Sequence, residues 1–193
     1  RLLQEKKKEY FSSPPEFLYT SPMKRCVQTA ELLFERKPIL IPEWKEMDFG
    51  QLEGKNYEEL KDDPCYQRWI DSNGTLPFPG GESREQFIRR SMEGFDRMMS
   101  DILKRSEKNT GIQNDTDTRY LKSNRGTEIP VVTVVHGGTI MAVLSSLTGG
   151  EYFDFQVKNG EGYETVLEWI QGSWKITSLT KIGCEDSKSE HLQ

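Results

Sequence analysis

No apolar run in this chain approaches the ~20 residues that a membrane-crossing helix needs. The longest, Ile129–Val135, has the length of a buried strand. Cysteine is sparse: Cys26, Cys65 and Cys184 are scattered and odd in number, with no spacing that suits a metal site or a disulfide framework. A reducing cytoplasm is the expected setting. Positive charge is in deficit, with 26 Lys and Arg against 31 Asp and Glu, a net charge of −5 and a pI near 5.3. That balance argues against nucleic acid or an anionic membrane as a partner. A protein of this charge that binds phosphate has to place its cations deliberately. What is present fits a globular domain with a real core: 34% hydrophobic and 30% charged residues in 193 positions, a size for one domain.

The pattern along the chain alternates strand and helix. Arg1–Tyr10 reads as the end of an amphipathic helix. The chain has no initiator Met, so further residues are expected ahead of Arg1. Phe17–Thr20 is a short strand, followed by Ser21-Pro22, a helix start with Ser as N-cap and Pro in the first turn. Small and apolar residues at Val27, Ala30, Leu33 and Phe34 predict a helix over Met23–Arg36. Ile39–Ile41 is a second strand. Glu43–Gly54 is irregular, two short helical stretches follow near Tyr57–Lys61 and Cys65–Asp71, and Asn73–Gly81 is a loop. Ser83 opens the longest helix, with an apolar stripe through Phe87, Ile88, Met92, Phe95, Met98, Met99, Ile102 and Leu103. The polar stretch Ser106–Glu128 reads as a flexible insertion or a lid. The β-branched run Val131–Val135 suits a central strand covered on both faces. Thr139–Leu147 is helical, and Tyr163–Ile170 and Ser173–Lys181 form a hairpin across Gln171-Gly172. The tail after Gly183 reads as frayed. The order predicts an α/β fold, a three-layer sandwich around a mostly parallel sheet.

Three segments could carry chemistry. Val131–Thr139 delivers His136 to the carboxyl edge of a sheet, then two glycines, then a helix whose first amides are free donors at its positive end. A structural histidine at a strand end explains this segment equally well. Tyr19–Ala30 repeats the architecture and puts Arg25 in a first helical turn, where a cation is disfavoured unless it meets an anion. An ordinary solvated arginine is the simpler reading taken alone. Pro79–Ser83 brings Glu82 to a helix start, where a carboxylate usually caps but could donate a proton if its pKa were raised.

Together these segments resemble a known family. Ser21-Pro22-Met23-Lys24-Arg25-Cys26-Val27-Gln28-Thr29-Ala30 is similar to the S-P-x-x-R-x-x-Q-T-A stretch of the histidine phosphatase superfamily, which includes phosphoglycerate mutases and α-ribazole phosphatase-like enzymes. Glu46–Gly54 resembles its E-x-x-F-G-x-x-E-G segment, Pro79–Ser83 its P-G-G-E-S segment, and Val135–Thr139 its second histidine motif. The four blocks keep the family's order. An Arg-His-Gly block, which holds the nucleophile in this family, is absent: the chain has two histidines, His136 and His191, and neither lies in such a motif. The resemblance therefore implies a nucleophile upstream of residue 1, on a first strand that these residues lack.

The resemblance implies phosphomonoester hydrolysis through a phosphohistidine. Arg25 would hold phosphate oxygens, His136 and the Gly137 amide would stabilise their charge, and Glu82 would protonate the leaving oxygen and then help activate water. No metal or cofactor is expected, and the partner is a small phosphorylated metabolite recognised by Glu43–Gly81 and Ser106–Glu128. No oligomeric state can be read, and a dimer is compatible with the sequence. Gly138, in a position where mutases tend to carry Asn, leans towards a phosphatase. A phosphoglycerate mutase-type transfer and a non-catalytic phosphate-binding module or inactive fragment are the alternatives.

Overall fold

The computed structural model describes residues 14–72, 74–110 and 129–183. The expected helix over Arg1–Tyr10, the tail with Cys184 and His191, and residues 111–128 of the polar stretch lie outside them. Strand β1 (Phe17–Thr20) leads into helix α1 (Lys24–Phe34), and strand β2 (Ile39–Leu40) follows. Two single 3-10 turns, Pro42–Trp44 and Gly50–Leu52, precede the short helices α2 (Tyr57–Leu60) and α3 (Pro64–Asp71). The long helix α4 (Arg84–Thr110) runs into strand β3 (Val131–Val134) and helix α5 (Gly137–Thr148). A 3-10 turn at Tyr152–Phe155 and the hairpin of β4 (Gly162–Ile170) and β5 (Ser173–Ile182) complete the order. Helix α4 continues to Thr110, five residues into the stretch read as an insertion.

Strands β2, β1 and β3 form a parallel sheet in that order, with Tyr19 opposite both Ile39 and Thr133. Alternation along β1 sets the layers. Phe17 and Tyr19 face a cluster with Ile41, Trp44, Phe95, Met98, Met99 and Ile102, against which Val143 and Leu147 of α5 also pack. Leu18 faces the other way, onto Ala30 and Phe34 of α1. Helix α1 thus covers one face and α4 with α5 the other, which is the expected three-layer α/β arrangement. The hydroxyl of Tyr19 donates to Asp101 Oδ2 at 2.9 Å, fixing α4 across the sheet.

β3 is covered on both faces, as expected: Val131 packs on the cluster of Phe17 and Tyr19, and Val132 and Val134 pack on that of Leu18. Among the described residues it pairs with β1 alone. A β-branched run reports a strand's preference for a packed surface but not how many neighbours it has. The antiparallel β4–β5 hairpin forms a separate two-stranded sheet. Leu167 and Trp174 nevertheless pack on the same core cluster as β1, and Trp169 meets Trp174 edge-on across the ladder at 5.2 Å.

Candidate active site

The carboxyl ends of β1 and β3 are tied together. The Ser21 amide and the Thr20 hydroxyl both donate to the Val134 carbonyl, at 3.1 and 2.7 Å. Each strand then turns directly into a helix, so the start of α1 with Arg25 and the start of α5 with His136 converge. Helix α1 begins at Lys24, later than the Ser-Pro signal suggested, and its cap residue is Met23. Ser21 still turns the chain, because its hydroxyl accepts the Met23 amide at 3.2 Å. The same oxygen lies 2.8 Å from His136 Nε2.

His136 is the buried centre of the site, with 4% of its side chain exposed. Its Nδ1 lies 3.1 Å from Glu46 Oε2 and 3.0 Å from Arg25 Nη2, and Arg25 Nη2 is itself 3.1 Å from that Glu46 oxygen. Arg25, Glu46 and His136 therefore form a triangle with edges near 3 Å. Burial opposes a charge on the imidazole, but its contacts with Cys26 Sγ and Glu46 outweigh that cost and push its pKa up to about 9. In that form Nδ1–H donates to Glu46 and Nε2–H to Ser21, and the arginine and the imidazolium share one carboxylate oxygen. Burial likewise works against ionisation of Glu46, yet the His136 hydrogen bond, the Met47 amide and Arg25 together hold its pKa below the usual carboxylate range.

Helix α5 opens at Gly137 with no side-chain cap, and its first amides face the end where an anion is favoured. In the same turn Thr139 is 2% exposed and its hydroxyl has no partner among the described residues. Of the predicted residues, then, Arg25, His136 and Gly137 are brought together.

Glu82 is placed otherwise. Its carboxylate takes two hydrogen bonds from Arg90, at 2.8 and 2.6 Å, and a third from the Asp48 amide at 3.0 Å. Partial burial opposes the charge, but Arg90 and that amide lower the pKa below the usual value. A general acid needs the opposite shift, which neither Glu82 nor Glu46 has in this arrangement. The Glu82 carboxylate instead joins two loops. Arg90 also donates to the carbonyls of Glu43, Lys45 and Glu46. Gly50 and Gly81 meet backbone to backbone: a Cβ on Gly50 would lie 2.3 Å from the Pro79 carbonyl oxygen, and one on Gly81 2.3 Å from that of Asp48. The P-G-G-E-S and E-x-x-F-G-x-x-E-G segments are thus one unit, and its product is the position of Glu46.

Glu46 is the member of the triangle that the sequence reading did not single out. It lay inside a quoted motif, but nothing local shows that it folds back onto Arg25, 21 positions earlier. Among the described residues no three His, Cys, Asp or Glu side chains come together as a metal site, and no helix is long and apolar enough to cross a membrane.

The geometry agrees with what this chain is similar to. The family model of the histidine phosphatase superfamily (branch 1) matches residues 4–111, more than half of the sequence. The chain belongs to the histidine phosphatase superfamily. A curated relative from Hydrogenobacter thermophilus, named "Putative phosphoserine phosphatase 2", is 26% identical over 149 residues, 74% of this chain. The chain spans 60% of that relative's length. A mycobacterial glucosyl-3-phosphoglycerate phosphatase, solved with inorganic phosphate, matches with a TM-score of 0.63 at 20% identity, over 92% of this chain and 83% of its own. A phosphoglycerate mutase from Thermus thermophilus matches with a TM-score of 0.56 at 23% identity, over 95% of this chain and 82% of its own. At such identities the structural likeness speaks for the histidine phosphatase fold alone, which phosphatases and mutases share.

Proposed function

We propose that this protein hydrolyses phosphomonoesters of small metabolites, in the cytoplasm, through a phosphohistidine intermediate. The observation that carries the reading is the Arg25–Glu46–His136 triangle, in which two cationic donors converge on one anionic oxygen. A phosphate oxygen can take the same two donors, with the opening amides of α5 beside them. Both nitrogens of His136 are engaged and its ring is buried, which suits a charge stabiliser and not a nucleophile. The attacking imidazole is a further histidine, and the edge of β3 left unpaired among the described residues is where a strand carrying it would dock.

In this reading the imidazole nitrogen attacks phosphorus and the P–O bond to the leaving group breaks, its electron pair staying with the ester oxygen, which takes a proton. Water then attacks the phosphohistidine, releasing inorganic phosphate and the free imidazole. The carboxyl poised to give the proton is Glu46. A phosphate dianion beside it raises its pKa, so it gains a proton as substrate enters. Glu82 could do so only after Arg90 released it. Hydrolysis is favoured over mutase-type transfer by Gly138: a Cβ there would lie 3.1 Å from the Phe87 ring, so the Asn common in mutases would have to push that ring aside.

The test is an assay of phosphate release from several monoesters, beside 3-phosphoglycerate isomerisation, using the chain extended through its upstream reading frame. Arg25→Ala is expected to lower kcat/KM for phosphate release by ~100-fold, the scale of losing a transition-state charge stabiliser. A loss under about tenfold would defeat the assignment, and isomerisation outrunning phosphate release would replace it with the mutase reading.

A further inference from the structure

The triangle accounts for one phosphate, but a second cation stands nearby with no carboxylate partner among the described residues. Arg84 is the first residue of α4, directly after Glu82-Ser83. Its guanidinium carbon lies 5.6 Å from the centre of the Tyr152 ring and 5.8 Å from that of Phe153. The two rings meet edge to face at 5.1 Å and make a corner that holds the group. Arg90, Arg97 and Arg105 each close on a carboxylate. Arg84 closes on none among the described residues. Like Arg25, it sits in a first helical turn, where the dipole disfavours a cation that has no anion to meet.

Arg84 is also tied to the phosphate pocket. The Tyr152 hydroxyl donates to the carbonyl of Gly138 at 3.4 Å, in the first turn of α5. The pKa of Tyr152 is pushed up to about 12, mainly by burial and then by the charge of Glu46, while Arg84 pulls the other way. One ring thus touches the turn that receives phosphate and carries Arg84 on its face. Phe153 remains 47% exposed, so the corner opens to solvent.

We infer that Arg84, set against Tyr152 and Phe153, is a second anion-binding position, and that the substrate is a phosphomonoester carrying another anionic group, a carboxylate or a second phosphate, a few bonds from the ester. This rests on the phosphate pocket proposed above and adds the class of substrate. The guanidinium fork suits either group, and the contact with two rings limits the freedom it would lose on binding.

Binding separates the two claims without turnover. Titrate the protein with inorganic phosphate, with alkylphosphonates, with ω-phosphonocarboxylates of two to five methylenes, and with the matching bisphosphonates. The best phosphonocarboxylate or bisphosphonate is expected to bind about tenfold tighter than the alkylphosphonate of the same length, the scale of one charge-assisted contact. Arg84→Gln should reduce that ratio to within about twofold and leave inorganic phosphate affinity unchanged, and Arg84→Lys should restore part of it. Preference for one series tells carboxylate from phosphate as the second anion. Equal affinity of the doubly and singly anionic ligands, with phosphate binding intact and sensitive to Arg25→Gln, overturns the Arg84 position alone. Absence of Arg25-dependent phosphate binding overturns the pocket and this inference with it.

Discussion

The loops that carry Glu46 and Glu82 lie side by side, each brings a carboxylate to an arginine, and yet the two do different things. Glu82 is closed on both sides by Arg90 and a backbone amide, and its arginine is spent on three neighbouring carbonyls. Glu46 faces two cations: His136, whose other nitrogen meets Ser21, and Arg25, which is 57% exposed. The first pair is a joint between loops. In the second, two cations share one oxygen of a carboxylate, the arrangement on which the proposed phosphate site rests. A carboxylate's role here follows from how completely its cation is satisfied elsewhere, not from its motif.

The pH dependence of stability divides the two regions most sharply. The pKa of His136 is raised in the fold, from 6.5 to about 9. Its contribution is therefore complete below 6.5 and is lost as pH rises through about 9. The shift corresponds to something on the order of 3 kcal/mol. Both carboxylates are lowered in the fold, so their contributions are present above about 4.5 and fade as pH falls. Denaturant unfolding across pH should show an alkaline decline that Glu46→Gln weakens and Glu82→Gln preserves. A decline unchanged in Glu46→Gln would break the distinction.

Next in size is the joint. Glu82→Ala leaves Arg90 half-buried without its carboxylate, at a cost of about 2 kcal/mol of stability, read as a lower urea midpoint. The effect on phosphate affinity should be small. Glu46→Gln should act on the phosphate site. Removing the resident anion is expected to tighten inorganic phosphate binding about tenfold near neutral pH, together with loss of the stability that His136 draws from Glu46, and weaker binding would show that Glu46 helps to hold phosphate. The same variant should slow poor leaving groups more than activated aryl esters in the turnover assay. Smallest is the pair of glycines that open α5. Gly138→Ala must push against the buried Phe87 ring and is expected to cost about 1 kcal/mol. Gly137→Ala would meet only Val157 at an ordinary 3.6 Å and should be near neutral.

Much of this was legible in the residue order. The helical stripe from Phe87 to Ile102, the hairpin across Gln171-Gly172 and the two strand-to-helix turns bearing Arg25 and His136 all appear where periodicity and turn chemistry place them. These are local signals: a 3.6 or 2.0 repeat and a Ser-Pro or Gly-Gly turn act over a few residues. The pairing of β3 with β1 and the extension of α4 to Thr110 were not legible. Strand neighbours are set by distant chain, and a polar sequence can continue a helix begun by its apolar face.

The sequence by itself determined the α/β alternation, the family, and that Arg25 and His136 each stand at the mouth of a helix. Only the tertiary structure decided which carboxylate belongs to them. Glu46 reaches the triangle because Arg90 and the Gly50–Gly81 contact fold two loops together, and Glu82 is withheld by the same contacts. Pairings across tens of residues depend on how the packed loops exclude one another, and no spacing in the chain records that.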